Sequence, residues 1–78
     1  MSKKILYNRI GGKTSETIVK ELMKNPLSAA QLSLRLRINL KAVYHHLHIL
    51  KKYRYISEEK FGHTILYFPT NLLLKEVM

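Results

Sequence analysis

Cysteine is absent from the 78-residue sequence, and glycine and proline are scarce, with three and two residues respectively. The lack of cysteine excludes disulfides and thiolate metal sites. Few glycines and prolines, together with 46% hydrophobic residues, favour an ordered, helix-rich chain over a disordered one. Because so short a chain can bury only a small core, we expect a single domain over residues 1–78.

Acidic residues are also few, since five glutamates and no aspartate stand against 14 lysines and arginines, which gives a net charge of +9. A surface this basic favours a polyanionic partner, either a nucleic acid or an acidic membrane surface. No apolar run approaches the roughly 18 residues of a membrane span, and residues 1–12 lack the apolar segment and cleavage site of a signal peptide. We therefore expect a soluble, cytoplasmic protein.

Groupings that could carry catalysis are missing as well. The glutamates show no paired-carboxylate pattern, and the glycines form no phosphate-binding loop. No histidine and carboxylate arrangement is predicted around the serines at positions 15, 28, 33 and 57. The sequence therefore predicts neither an enzyme nor a bound cofactor.

Two histidines, His45 and His48, have the spacing to share one helix face, as metal ligands can. A zinc site needs three or four protein ligands. The other candidates are poor, because His46 is predicted to pack inward as a hydrogen-bonded core residue and His63 falls in a predicted hairpin tip. We predict no metal site.

The first helical pattern follows Gly11-Gly12. Its apolar residues recur at helical spacing, Thr14 is the predicted N-cap, and Asn25-Pro26 ends it. The apolar run within residues 4–10 is too short to distinguish a strand from a helix. The sequence therefore does not decide between a strand and a helix for residues 4–10.

The stretch LSAAQL at residues 27–32 predicts the start of a second helix. Ser28 and Gln31 have the spacing of a capping box, and the leucines at the two ends of the stretch have the spacing of a hydrophobic staple. The helix is predicted to be short and to end near Arg37-Ile38.

Asn39 can cap a third helix that runs from Leu40 to about Lys52 without glycine or proline. YISEEK and TILYF follow as two β-rich runs separated by FGH, in which Gly62 can supply the positive φ of a hairpin. Pro69 ends the second strand, and NLLLKEVM is a predicted terminal helix. The expected fold class is mainly α with a small β-hairpin.

The third helix divides into two faces at about 100° per residue. One face is apolar apart from a histidine and must pack inward, whereas the other carries lysine, tyrosine and histidine without an acidic residue. A solvated helix face usually mixes charge signs, so this one-signed face predicts an anionic target. The inward residues are Ala42, Val43, His46, Leu47, Ile49 and Leu50, and the outward residues are Lys41, Tyr44, His45, His48, Lys51 and Lys52.

The order of these elements, over roughly residues 14 to 70, resembles a winged helix-turn-helix, and the sequence resembles the ArsR-type repressors and related archaeal and bacterial regulators. That family has the motif L-S-x-x-T-V-S-H-H-L-x-x-L-x-x-x-G-L-V, which INLKAVYHHLHILKKYRYI fills here. Asn39 replaces the family's capping serine, and Arg37 and Arg54 stand where many members have glycine, so both bends form without that residue's freedom. The family's metal-binding cysteines are missing, so fold and DNA binding are implied but thiolate metal sensing is not. The direct matches to the motif are Val43, His45, His46, Leu47, Leu50 and Ile56.

The resemblance implies a three-helix core, a hairpin wing and a C-terminal helix, with the third helix entering the major groove of double-stranded DNA. The wing tip would approach a neighbouring phosphate or the minor groove, and the second helix would contact phosphates. The predicted DNA-binding residues are Gln31 and Arg35 in the second helix, Asn39, Leu40, Lys41, Tyr44, His45, His48, Lys51 and Lys52 in the third helix and its cap, and Lys60 and His63 in the wing.

Residues 3–10 and 71–78 carry more apolar side chains than the ends of a small monomer should expose. We predict that these two segments form the contact of a two-fold homodimer that reads two DNA half-sites. Such a dimer would act as a repressor by occupying promoter DNA. Two alternatives stay open, namely a winged-helix module that binds a protein of the transcription machinery and an RNA-binding protein.

Overall fold

The computed structural model describes the backbone of residues 11–77 and the side chains of residues 11–76. Four helices and a two-stranded antiparallel hairpin, the wing, make up this part of the chain, which confirms the mainly α winged helix-turn-helix class. The expectation for residues 4–10 lies outside the described residues. The elements are α1 Gly12–Lys24, α2 Ala29–Leu36, α3 Leu40–Lys52, β1 Ile56–Phe61, β2 Thr64–Pro69 and α4 Asn71–Val77.

The hydrophobic core lies where the first three helices meet the inner face of the wing. All of its side chains are almost completely removed from solvent, and α4 adds a fully buried leucine. Burying an aliphatic side chain of this size contributes about 1.5–3 kcal/mol, which is the main stabilising term for so small a domain. The core residues are Ile18, Val19, Leu22, Leu27, Ala29, Leu32, Val43, Leu47, Leu50, Tyr55, Ile56, Tyr67 and Leu73.

Helix α1 begins at Gly12, so the prediction that Thr14 is the N-cap is wrong. Gly11 occupies the cap position with φ 115°, a left-handed conformation that favours glycine. The chain also passes too close to its neighbours for a side chain there, because a Cβ on Gly11 would lie 2.7 Å from His46 Nδ1 and closer still to Ser15 Oγ. The contact with a distant helix thus sets the start of α1 and leaves Thr14 in its first turn.

Helix α2 starts with the predicted capping box. The Gln31 N–H donates to Ser28 Oγ at 3.2 Å, and the Ser28 N–H donates to Gln31 Oε1 at 2.9 Å. The helix ends at Leu36, and its C-cap, Arg37, has a φ of 54° in the left-handed region. That conformation costs a residue with a Cβ roughly 1–2 kcal/mol. The turn is held by Ser33, whose hydroxyl donates to the Ile38 carbonyl at 2.5 Å and whose carbonyl accepts the Ile38 N–H at 3.1 Å.

Helix α3 has the predicted bounds and the predicted cap. Asn39 Oδ1 accepts the Lys41 N–H at 2.8 Å, which satisfies a backbone donor that the helix itself leaves unpaired. A second arginine with a left-handed backbone, Arg54 at φ 63°, follows the helix. Its N–H donates to the Lys51 carbonyl at 2.9 Å, so the chain reverses immediately into the wing.

Hydrogen bonds join the two ends of the wing at its base and attach the middle of β2 to the segment before α2. Thr70 donates its hydroxyl to the Arg54 carbonyl at 2.8 Å and its N–H to the Tyr55 carbonyl at 2.9 Å. Further along β2, the Tyr67 N–H donates to the Leu27 carbonyl at 2.9 Å. These bonds fix the direction in which the hairpin projects from the helices.

The register of the wing separates its side chains into two faces. Glu58 pairs with Tyr67 on the face toward the helices, whereas Glu59 pairs with Leu66 on the opposite face. The predicted turn glycine, Gly62, has φ 62° and closes the hairpin. None of the helices within residues 11–77 has the length and apolar character needed to cross a membrane.

Candidate nucleic-acid interface

The two faces predicted for α3 are confirmed by burial. Val43, Leu47 and Leu50 are buried, and the other three inward residues are partly buried. All six outward residues are exposed to solvent, including Tyr44 with 53% of its surface. The helix therefore presents its polar half outward while its apolar half completes the core.

The wing folds back along this exposed face. Its tip meets the first half of α3 and the start of α2 around a cavity of about 240 Å³, whose lining includes Tyr44, His63 and Ser28. A second cavity of about 320 Å³ lies between the second half of α3 and the middle of the wing, where His48 and Glu58 are among the lining residues. We use the name helix–wing surface for the outward residues of α3 together with Glu58, Lys60 and residues 63–65 of the wing.

The charges of the helix–wing surface are mostly free to meet an anion. No ion pair within the described residues involves Lys41, Lys52 or Lys60. Lys51 is different, because its ammonium forms an ion pair with the carboxylate of Glu58 from β1. The helical spacing of α3 could not predict this carboxylate, because Glu58 belongs to the wing.

Glu58 has a second effect on the same region. Burial raises the pKa of the Tyr67 phenol, and the nearby Glu58 carboxylate and then Tyr44 raise it further. Tyr67 therefore stays protonated throughout the physiological range and keeps its hydroxyl as a hydrogen-bond donor. The lining of the cavity between the helix and the wing thus includes two tyrosines, His48 and the ion pair of Lys51 and Glu58.

Several predicted contact residues already hold partners within the fold. The carboxylate of Glu21 in α1 lies 3.7 Å from the guanidinium of Arg35, in a pair whose arginine side is more than half exposed. Gln31 and Asn39 each use a side-chain oxygen to cap a helix. Such amides retain an NH₂ group that can donate to another acceptor.

Two other predicted contacts differ in their surroundings. Leu40, at the first position of α3, is an exposed apolar residue with 42% of its surface accessible. His45 is exposed and touches His46 edge to face, with ring centroids 5.5 Å apart. Apart from Gln31 and Arg35, which extend from α2, the predicted contacts thus lie on or beside one continuous surface.

The predicted inward role of His46 is confirmed. Its Nδ1 lies 3.0 Å from Ser15 Oγ, in a hydrogen bond that joins α3 to α1. Burial, and secondarily the charge of His45, lowers the pKa of His46, which favours the neutral imidazole at pH 7. The histidine is a structural link between the helices.

Among the serines considered in the sequence, Ser15 lies beside a histidine, through its hydrogen bond to His46. Ser15 lies on the same helical stripe as Ile18, Val19 and Leu22, so its inward position could have been inferred from spacing. Ser15 is completely buried, so a substrate cannot reach its hydroxyl. Within the described residues, no group of three or more histidine, cysteine, aspartate or glutamate side chains could hold a metal ion.

The predicted dimer contact is only partly within the described residues. Residues 3–10 lie outside them. In α4, Leu73 is fully buried against the core, whereas Leu72 exposes 43% of its surface. The dimer therefore stays a prediction.

Comparison with known proteins gives both a family and a fold. The sequence profile of the family described as "Bacterial regulatory protein, arsR family" matches residues 16–58, more than half of the chain. No curated protein matches the sequence.

Among solved structures, reduced HlyU from Vibrio cholerae N16961 is similar, with a TM-score of 0.79 and 25% identity over 92% of this chain and 76% of that one. An ArsR-like transcriptional regulator from Rhodococcus sp. RHA1 is also similar, with a TM-score of 0.79 and 25% identity over 91% of this chain and 67% of that one. For a cysteine-to-serine mutant of Lactococcus lactis ZitR in complex with DNA, the TM-score is 0.74 and the identity is 22%, over 78% of this chain and 44% of that one. This chain therefore spans less than half the length of ZitR.

Proposed function

Because the chain belongs to the ArsR family of bacterial regulatory proteins, we propose that it represses transcription as a homodimer that occupies specific double-stranded DNA sites. The family consists of transcription regulators, so the chain is a DNA-binding transcription regulator and not an enzyme. The fold shared with ZitR, a protein solved in complex with DNA, supports duplex DNA as the ligand. The observation that carries the proposal is the exposed basic face of α3, which lies beside the wing tip.

In this proposal α3 enters the major groove, which is about 12 Å wide and accepts an α-helix. Lys41, Tyr44, His45 and His48 face outward from the part of the helix that lies along the wing, where their donors can meet base edges and phosphates. Contacts to base edges discriminate sequence, whereas contacts to phosphates set the register of the protein on the duplex.

The remaining predicted contacts surround that region. Asn39 and Leu40 lie at the entrance to the groove, and Lys51 and Lys52 lie at the far end of the helix. Lys60 and His63 belong to the wing, where they would meet phosphates beside the groove. Gln31 and Arg35 of α2 would hold the backbone on the other side of the groove, as positioning contacts that read no sequence.

A homodimer is part of the proposal because one helix reads only a few base pairs. Two copies of α3 about 34–36 Å apart would reach successive major grooves on one side of the duplex. Leu72, with 43% of its surface exposed, and Leu74 line the same groove beside α4, which supports a contact between copies through this helix. Occupation of promoter DNA in the cytoplasm would then exclude the polymerase.

Salt-dependent binding to random and selected duplexes tests the DNA-binding proposal. Each neutralised phosphate contributes about −0.9 to the slope of log affinity against log salt concentration. A steep negative slope is expected, and a flat titration would refute the proposal in favour of a protein-interaction module. Competition between duplex DNA and single-stranded RNA distinguishes the RNA alternative, which predicts that RNA displaces the duplex.

Two variants that remove one lysine charge each locate the contact. Lys41→Gln changes the exposed face of α3, and Lys20→Gln changes α1, where the lysine pairs with Glu16 at 3.3 Å. Loss of one phosphate contact lowers affinity about fivefold at 0.15 M salt. We expect that loss for Lys41→Gln and less than a twofold change for Lys20→Gln. Equal losses would contradict the assigned surface.

The dimer is tested separately by light scattering at micromolar concentration. A mass of two chains is expected, and a mass of one chain under all conditions that support DNA binding would refute the homodimer.

A further inference from the structure

Two arginines hold a backbone conformation that normally favours glycine. Within residues 11–77, Arg37 with φ 54° and Arg54 with φ 63° are the residues other than glycine with positive φ. Both are exposed, and neither guanidinium takes part in an ion pair or a side-chain hydrogen bond between described residues. Backbone hydrogen bonds close both turns, but no contact between described residues uses either arginine side chain, so the fold retains the strain of a Cβ at these bends without using the group that it carries.

The two arginines lie at opposite ends of α3. Arg37 lies two residues before Asn39, the cap of α3, and the first half of α3 meets the wing tip around Tyr44. Arg54 follows the last residues of α3 and lies at the base of the wing, where its carbonyl accepts the Thr70 hydroxyl. Because a strand rises about 3.3 Å per residue, the six residues of β1 separate that base from the tip by about 20 Å.

We propose that Arg37 binds a phosphate of the DNA backbone beside the groove that α3 enters; Arg54, at the base of the wing, provides a matched comparison. The inference rests on the proposed function and adds a contact that the sequence did not indicate. A guanidinium suits this role because its planar donors can bind two phosphate oxygens at once.

The turn that carries Arg37 is well suited to present such a contact. The Ser33 carbonyl accepts the N–H groups of Arg37 and Ile38, and the Ser33 hydroxyl donates to the Ile38 carbonyl. These bonds fix the backbone on both sides of the arginine, so less conformational freedom is lost when the phosphate is bound. The contact would orient α3 in the groove without reading bases.

Arg37→Gly and Arg54→Gly form a matched pair, because each removes one exposed arginine and one left-handed Cβ. Both variants should melt at a higher temperature than the unaltered protein, since glycine relieves the backbone strain. Only Arg37→Gly should bind duplex DNA about fivefold more weakly at 0.15 M salt, with a salt slope shallower by about 0.9 for each bound chain. Arg54→Gly should stay within twofold.

Arg37→Lys is the third variant, because it keeps both the charge and the strained Cβ. It should retain part of the affinity that Arg37→Gly loses, because lysine keeps the charge but cannot bind two phosphate oxygens at once, and this result separates the role of the charge from that of the turn. If Arg37→Gly and Arg54→Gly bind duplex DNA equally well, the inference is overturned while DNA binding stands. If the unaltered protein shows no salt-dependent binding to duplex DNA, the proposed function itself has failed and the inference fails with it.

Discussion

Replacing Glu58 by glutamine should strengthen DNA binding. Glu58 forms an ion pair with Lys51 on the helix–wing surface, so its carboxylate neutralises a lysine that could otherwise meet a phosphate. Glu58→Gln removes the negative charge and frees Lys51 for about one additional phosphate contact. Each phosphate contact contributes about 0.9 to the steepness of log affinity against log salt concentration. Affinity at 0.15 M salt should therefore rise up to about fivefold, and this slope should become steeper by about 0.9 per bound chain.

The same change should cost little stability. The side chains of Lys51 and Glu58 are 55% and 31% exposed, and ion pairs in such positions contribute between about zero and 1 kcal/mol because water and salt screen them. A loss of about 0.5 kcal/mol would lower the melting temperature of a domain this size by roughly 2–4 °C. Affinity and stability should therefore move in opposite directions.

Glu59→Gln is the control, because it makes the same change in charge on the opposite face of the wing. Fluorescence anisotropy with a labelled duplex at four salt concentrations gives affinity and slope for both variants. We expect less than a twofold change for Glu59→Gln. Equal gains for the two variants would mean that only net charge matters, and weaker binding by Glu58→Gln would mean that the carboxylate itself contacts DNA, for example at a cytosine amino group. Either result would refute the reasoning.

The remaining predictions concern stability and pH. Gly11→Ala places a Cβ 2.7 Å from His46 Nδ1 and closer still to Ser15 Oγ, so it should lower the free energy of unfolding, measured by urea denaturation, by about 2–4 kcal/mol. Gly12 has φ 73° and open space around a new Cβ, so Gly12→Ala should lower the free energy of unfolding by only about 1 kcal/mol. Equal losses for the two variants would contradict the close contact assigned to Gly11. The pKa of His46 is lower in the folded state than in the unfolded state, so the unfolded state binds more protons in acid and stability should fall as pH drops below about 6.5. Urea midpoints between pH 7.5 and pH 5 should show this fall, and His46→Gln should make it shallower; an unchanged pH dependence in that variant would assign the effect to other groups.

Local signals in the sequence were sufficient for most of the fold. The capping box at Ser28 and the cap at Asn39 act within four residues of chain, and both form as predicted. The bounds of α3 follow from that cap and from an uninterrupted helical pattern, and the hairpin follows from Gly62. Such features depend on residues that are close in sequence, which is why the sequence alone predicts them.

Contacts between distant residues could not be inferred in the same way. The Ser15 and His46 pair joins residues 31 positions apart, and the close packing of Gly11 against this pair displaced the start of α1 from its predicted position. The ion pair between Lys51 and Glu58 depends on how the wing folds over α3. The sequence predicted which side of α3 is exposed, but the DNA contacts themselves stay predictions.

The hydrogen bond from Tyr67 to Leu27, together with the bonds of Thr70 at the base of the wing, has a consequence for the choice of binding sites. These bonds hold the wing in a set position relative to the helices before a duplex is bound. A groove of a different width must therefore deform to fit, at an energy that depends on the stiffness of its base-pair steps. Flexible pyrimidine–purine steps between the contacted bases should then be preferred, although no side chain touches them.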